Sequence, residues 1–367
     1  MKLLVVGSDQ VWSIEKVYIN YLAEWGAEVQ LFAAQNEFYD YYNRSIVNKV
    51  LYRAGLTRII SRINQRLRLA ITQWRPDAIL IFKGMEVLPS TLQWIREQGI
   101  FLANYNPDNP FVFSGAGSGN SRVTAGIPLY DLHLTYNLEI KERLDREYHI
   151  ATALLPFGFD VAQELYERCL REPEISRVCF LGNPDEGRVD LIRQLLDRGI
   201  GIDVYGHHWD KFHHHDNLHI HEAVYGEDFW LVLHRYRVQL NLLRPHNLRS
   251  HNMRTFEIPG IGGIQLAPDT PEHRKFFRPD HEIFLFRDMN ECYDKIKMLL
   301  DLPAAEATAL REAARAVSIA AGYTYKDRAR QALDSIRERM QITSAAASKA
   351  TSTATSTAAS GKEVGHV

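Results

Sequence analysis

Cysteine is scarce in this chain: three in 367 residues, Cys169, Cys179 and Cys292, scattered and odd in number. That excludes a disulfide framework and points to a reducing compartment, with each thiol a small core group. No stretch approaches the roughly 18 consecutive apolar residues a membrane-spanning helix needs. The opening Met1-Lys-Leu-Leu-Val-Val-Gly-Ser turns polar quickly and carries no cleavage pattern, so it reads as a first buried strand rather than a signal peptide. The expected location is therefore the cytoplasm. Neither sign of charge is in excess: 43 Lys and Arg against 45 Asp and Glu leave a net −2, which argues against a general nucleic-acid binder. A GxGxxG fingerprint is missing, which disfavours a dehydrogenase. So are HExxH and Cys/His metal spacings, despite the crowd His207, His208, His213, His214, His215, His219 and His221. No bound metal is expected.

What the chain does have is alternation. Runs of β character at 2–7, 27–34, 78–83, 100–104, 132–136 and 153–156 are interleaved with helical spacing such as 14–25. A second series follows Pro173, with runs at 177–182, 202–206, 218–221, 238–243, 264–267 and 283–286. Such alternation implies βαβ units and parallel sheets. Two strand-to-glycine starts, Val5-Val6-Gly7 and Phe180-Leu181-Gly182, suggest two Rossmann-like halves. Helical spacing then dominates at 290–300, 304–321 and 325–340. From about 343 the chain is rich in Ala, Ser and Thr with almost no large apolar group, which predicts disorder. The expected division is a first domain at 1–156, a linker at 157–173, a second domain at 174–322, a helix at 323–341 and a tail at 342–367.

Candidate chemistry concentrates in loops that follow strands. In Arg254-Thr-Phe-Glu-Ile-Pro-Gly-Ile-Gly-Gly, Glu257 falls on a short helix and Gly260, Gly262 and Gly263 form a turn before a β run. A carboxylate there can accept both hydroxyls of a ribose, and side-chain-free backbone at Gly262-Gly263 lets a diphosphate approach, with Arg254 facing it. The competing reading is an i,i+3 ion pair between Arg254 and Glu257, with the glycines as a cap. The upstream loop 242–252 carries two His, two Asn and two Arg, of which His251 and Asn252 stand nearest the helix start. The loop Gly182-Asn183-Pro184-Asp185-Glu186-Gly187-Arg188 offers Asn183 and Arg188 to a phosphate. Asp108, in the proline-bounded turn 104–110, is the candidate general base for an acceptor hydroxyl. A plain Asx-turn is the alternative, and Asp9 the rival base. The segment 44–75 contains Lys49, Arg53, Arg58, Arg62, Arg66 and Arg68, no acid, and interleaved aliphatics. It reads as a basic amphipathic helix suited to an anionic membrane surface or an acidic acceptor, or as an ordinary surface helix.

Together these residues resemble the GT-B glycosyltransferases and, within them, the CgeB-like (spore-maturation-protein-like) family. The resemblance runs through Arg75–Gly84, Tyr130–Tyr136, Leu155–Asp160, Val178–Asn183, Val204–Trp209, His251–Glu257 and Gly322–Arg328, with 251–263 the most specific block. It implies an α/β fold of two facing Rossmann-like domains with parallel sheets, and a C-terminal helix crossing back to the first. It also implies a nucleoside-diphosphate sugar on the second domain as co-substrate, the acceptor on the first, and no cofactor; the basic segment 44–75 hints at a glycan or lipid-linked acceptor. Glu257 matches the family's ribose-binding acid. Many retaining GT-B enzymes carry another Glu eight positions earlier; here Arg249 stands there, which leaves the stereochemistry open. A nucleotide-sugar epimerase and a non-catalytic scaffold on the same fold are the alternatives.

Overall fold

The computed structural model describes residues 1–360 apart from 11–12, 114–116 and 212–213; His213 and residues 361–367 lie outside the described residues. Among the described residues, twelve strands divide between two sheets. The first holds β1 (Lys2–Val6), β2 (Glu28–Phe32), β3 (Ala78–Phe82), β4 (Phe101–Asn106), β5 (Leu132–Thr135) and β6 (Thr152–Leu154) in the order β2-β1-β3-β4-β5-β6. The second holds β7 (Ile175–Leu181), β8 (Ile202–Tyr205), β9 (Leu218–His221), β10 (Tyr236–Leu240), β11 (Gln265–Pro268) and β12 (Phe284–Phe286) in the order β12-β11-β10-β7-β8-β9. Every paired neighbour is parallel.

β3 is apolar throughout, and β1 from Leu3 onward, because helices cover both faces of a parallel sheet. Successive side chains alternate between those faces. Leu3, Val5, Leu80 and Phe82 enter one core, whereas Leu4, Val6, Ile79 and Ile81 enter another.

The first core is completed from the far end of the chain. Tyr325, Ala329, Ala332, Leu333 and Ile336, on the helix Tyr325–Ser360, pack with Leu3, Val5, Tyr18 and Leu22. Trp25 donates its indole N–H to the Lys326 carbonyl at 3.0 Å. This is the returning helix the resemblance implies. The two chain crossings run side by side: the Phe159 amide donates to Tyr323 O at 3.1 Å, and the Tyr325 amide donates to Phe159 O at 2.9 Å. Gly158 permits this approach, since a Cβ there would lie 2.8 Å from Tyr323 O. The helix continues to Ser360, past residue 341 where the sequence predicts order to end. Alanine, abundant there, has the highest intrinsic helix propensity.

The basic segment differs from expectation. It forms two helices, Ile46–Arg53 and Ile59–Trp74, broken at Gly55, which adopts φ 70°. Ile59, Ile63, Leu67 and Ile71 of the second helix are buried in the first domain. Ile46, Val47, Val50 and Leu56 are instead 80%, 64%, 58% and 74% exposed.

Both strand orders contain a reversal. The chain leaves β1 for β2 on one side and returns to β3 on the other. It leaves β7 for β8 and β9, then returns to β10. Ligands of open α/β sheets bind at such points, outside the carboxyl ends of the strands. The loops after β1, β3, β7 and β10 are therefore where a site belongs.

Candidate functional site

Those four loops meet in one cleft. A cavity of about 710 Å³ lies over the β1/β3 reversal, lined by Ser8, Gln10, Ser13, Glu15, Lys83 and Asp108, with Phe157 and Met253 on its far side. A second cavity of about 420 Å³ shares Lys83, Asp108, Phe157 and Met253 and adds Arg188, Arg244, Asn247 and Asn252. The two form one space, with first-domain groups on one wall and β7 and β10 loop residues on the other.

Asp108 lies in this cleft. Its amide donates to Asn106 Oδ1 at 3.0 Å, so the Asx-turn and the cleft position are both present. Its carboxylate is held by Lys83 Nζ at 2.6 Å. Lys83 follows β3 in a left-handed conformation, φ 57°. Its ammonium also donates to Gly117 O at 3.1 Å. Asp9, the rival base, pairs with Lys16 at 3.1 Å, both side chains half-exposed.

Arg188 and Asn252 line the second cavity as well as serving structure. Arg188 donates to Asn183 O at 2.9 Å and Leu242 O at 2.8 Å. Burial lowers its pKa to about 10, so it keeps its charge at neutral pH. Asn252 accepts the Thr255 amide at 3.2 Å at the start of the helix Arg254–Gly260 and donates to Asn241 Oδ1 at 2.7 Å. Asn183 shapes the turn after β7: its Oδ1 accepts the His207 amide at 2.9 Å.

Arg254 and Glu257 form the i,i+3 ion pair that the local spacing allows. Arg254 also donates to Leu181 O at 3.3 Å, at the carboxyl end of β7, and lies 4.5 Å from the centre of the Phe229 ring. Glu257 is buried. Burial raises its carboxyl above the ordinary range, and Arg254 opposes the shift. The pair stands beside the second cavity rather than in its lining.

Two expectations need correction. Gly262 and Gly263 are buried and precede β11, so they occupy the amino edge of the sheet, away from the cleft. There they let helices approach. A Cβ on Gly263 would lie 2.7 Å from Leu233 O, and Gly262 takes φ 78°. Its carbonyl accepts Arg311 Nη1 at 3.0 Å. A diphosphate at the carboxyl edge does not meet this turn. His251 is likewise displaced. It is fully buried among the rings of Tyr136, Phe157, Phe256 and Phe276, with Nδ1 against Glu272. Glu272 also accepts the Leu138 amide at 3.0 Å, and Asn247 Oδ1 accepts the Tyr136 hydroxyl at 2.7 Å. His251 thus helps fasten one domain to the other instead of meeting a phosphate.

Other cleft residues carry no mark in the sequence. Lys83 ends an apolar run and Glu15 sits inside an ordinary helical pattern; only the fold turns them inward. Arg249, at the position of the second family Glu, pairs with Glu139 at 3.0 Å and is exposed. Among the described residues, Asp203, His219 and His221 bring potential metal ligand atoms within 4.8 Å of one another. Adjacent strands create that group, which spacing along the chain does not reveal. Asp203 is already bound by Arg177 at 2.5 Å and by the Tyr236 hydroxyl at 2.7 Å, and the arginine repels a second cation.

Residues 188–334 match the model of a family described as glycosyl transferase-like. No curated protein matches the chain in sequence. Solved structures share the whole architecture. Sucrose-phosphate synthase from Thermosynechococcus elongatus is 11% identical, with a TM-score of 0.65 over 93% of this chain and 100% of its own. The α,α-trehalose 6-phosphate synthase of Burkholderia multivorans is 13% identical, with a TM-score of 0.64 over 94% and 98%. The UDP-GlcNAc 2-epimerase of Neisseria meningitidis, bound to UDP-GlcNAc, is 12% identical, with a TM-score of 0.53 over 92% and 100%. The fold is GT-B.

Proposed function

We propose that the protein is a glycosyltransferase that moves a sugar from a nucleoside-diphosphate sugar to an acceptor hydroxyl. One observation carries this reading: the reversal points of two parallel sheets open onto a single cleft, with Lys83, Arg188 and Arg244 beside the space between them. The family match over the second domain supports it. The nucleotide belongs on the loops after β7 and β10, with Glu257 taking the ribose hydroxyls once Arg254 turns toward the diphosphate. The three cations stabilise the departing diphosphate, electrostatic work that fixed charges do well away from water. They meet its charge without a metal. The cavity over β1 and β3 has room for the acceptor, which a nucleotide-sugar epimerase does not need.

Calorimetric titration with UDP, GDP, dTDP and CDP tests the donor site. One nucleotide is expected to bind, and Glu257→Ala to weaken it by about tenfold to a hundredfold, since charge-assisted hydrogen bonds contribute about 1.5–3 kcal/mol. Binding of none of the four, or equal binding by the variant, would sink this assignment. Release of an epimerised sugar without acceptor would identify the epimerase. Nucleotide binding without turnover across a broad acceptor panel would identify a scaffold.

The reading extends to a peripheral place on an anionic membrane, with a lipid-linked or anionic acceptor. Ile46, Val47, Val50 and Leu56 face solvent amid Arg44, Lys49, Arg53 and Arg58. The preceding helix Ala34–Asn43 supplies Tyr39 and Asn43 to the larger cavity. Aliphatics inserting between lipids and cations meeting headgroups are the two terms of such binding. Serine at the four aliphatic positions is expected to cut cosedimentation with phosphatidylglycerol vesicles by roughly tenfold or more. Unchanged sedimentation would refute membrane contact.

A further inference from the structure

We propose that Glu15, rather than Asp108, takes the proton from the acceptor hydroxyl; this rests on the transferase reading above. Both carboxylates line the larger cavity. Asp108 is occupied by Lys83 at 2.6 Å and lies in a turn stabilised by its own amide, so a proton arriving there has to displace the ammonium. Glu15 is 6% exposed, on the first turn of the helix Ile14–Glu24 that follows the β1 loop. Its side chain folds back over Gly7: a Cβ on residue 7 would lie 2.7 Å from Glu15 Cγ and 2.9 Å from Oε1. The tip of β1 thus lacks a side chain where the carboxylate needs the space.

The charge environment suits a base. Burial pushes the Glu15 carboxyl above the usual carboxylate range. Its own amide, the Lys83 charge and the Ser8 amide hold the shift in check. Glu86, on the segment after β3, faces it as a second buried acid, with Lys83 and Arg122 as counter-charges. A general base works best with its pKa brought toward the operating pH.

The step balances without another reactant. The acceptor oxygen gives its proton to Glu15 and forms a bond to the anomeric carbon. The bond from that carbon to the diphosphate oxygen breaks, and its electron pair leaves with the diphosphate. With an enzyme carboxylate taking the proton, the acceptor oxygen attacks opposite the breaking bond in a single displacement, so the product has inverted configuration. Arg249, exposed and paired with Glu139, supplies no carboxylate for a retaining path.

The test compares the wild type, Glu15→Gln and Asp108→Asn in the full chain. The readouts are transfer kinetics across pH, product configuration by NMR, and calorimetry with the nucleotide that the wild type binds. Glu15→Gln is expected to lose about 10²–10⁴-fold in kcat, the usual contribution of a general base. Nucleotide affinity should hold within about threefold, and the ascending limb of the pH profile should vanish. Retained affinity shows that the variant has folded. Asp108→Asn should lose less than about tenfold. A loss in Glu15→Gln short of about 10²-fold, an equal loss in Asp108→Asn, or a product of retained configuration overturns the inference. A wild type that binds nucleotide but transfers to no acceptor overturns the transferase reading, and this inference with it.

Discussion

Replacing Arg311 with methionine is expected to destabilise the second domain by about 3–5 kcal/mol, because buried carbonyls left without a donor cost about 1–3 kcal/mol each. Arg311 is 8% exposed, on the helix Ala304–Ala320. Its guanidinium donates to the carbonyls of His234, Gly262 and Tyr236 and to Glu174 Oε2. Methionine fills similar space but leaves those carbonyls without this donor, in a place water does not reach. Its neighbour Arg315 holds Gly260 O and Gln163 Oε1 in the same way. The two guanidinium groups hold the backbone of the Gly260–Gly263 turn, while Phe159 and Leu233 leave no room for a Cβ on Gly260 and Gly263. Urea unfolding followed by circular dichroism measures the effect. Arg193→Met is the control, because it and its partner Asp190 are both about half exposed and exposed pairs contribute about 0–1 kcal/mol. Equal losses in the two variants would show that the buried clamp does not hold the domain.

Glu86→Gln is expected to stabilise the protein above neutral pH and to do little near pH 5. Glu86 is 6% exposed, and burial lifts its carboxyl from 4.5 to about 7; its own amide, Arg122 and Lys83 pull the other way. The folded state therefore binds this proton more tightly than the unfolded chain. Stability falls as pH climbs through the interval from 4.5 to about 7, and above it the full cost of a buried carboxylate is present. At 1.36 kcal/mol per pH unit, the variant should gain up to about 3 kcal/mol at pH 8. Chemical denaturation at pH 5 and pH 8 reads this directly. The same change at both pH values would mean that the gain comes from packing, not from the proton.

Strands such as β1 and β3 were legible because burial between two helix layers writes itself as apolar runs. Each of the twelve lies within about three residues of its expected place, since helix layers leave so little choice of residue type. Asp108, Arg188 and Asn252 were legible as cleft residues for a related reason: each follows a strand, and the carboxyl ends gather ligands. Gly262 and Gly263 were not. A bare turn at a helix end looks the same whether a phosphate or an arginine approaches it, and only the edge of the sheet on which it falls decides. His251 misled because a polar loop residue can still be carried into an aromatic interior when a carboxylate such as Glu272 awaits it. Lys83 and Glu15 were invisible because their inward aim comes from pairing β1 with β3, strands separated by some 70 residues of chain. The break in the basic segment at Gly55 was a local signal that helical periodicity outweighed.

The helix beginning at Tyr325 has a consequence for how the chain is made. Residues 2–154 contain every strand of the first sheet, yet Leu3, Val5, Tyr18 and Leu22 gain their last covering only from Tyr325, Ala329, Leu333 and Ile336. On a ribosome adding about 5–20 residues per second, the intervening stretch of about 170 residues takes roughly 10–35 s to emerge. Throughout that interval the amino-terminal half presents an open apolar face, and the half synthesised later, whose core includes Ala307, can close just before it ends. Birth order and folding order are thus reversed at this face. A nascent-chain chaperone has its natural client in the first half, and a premature stop near the end of the message strips the domain that was translated first.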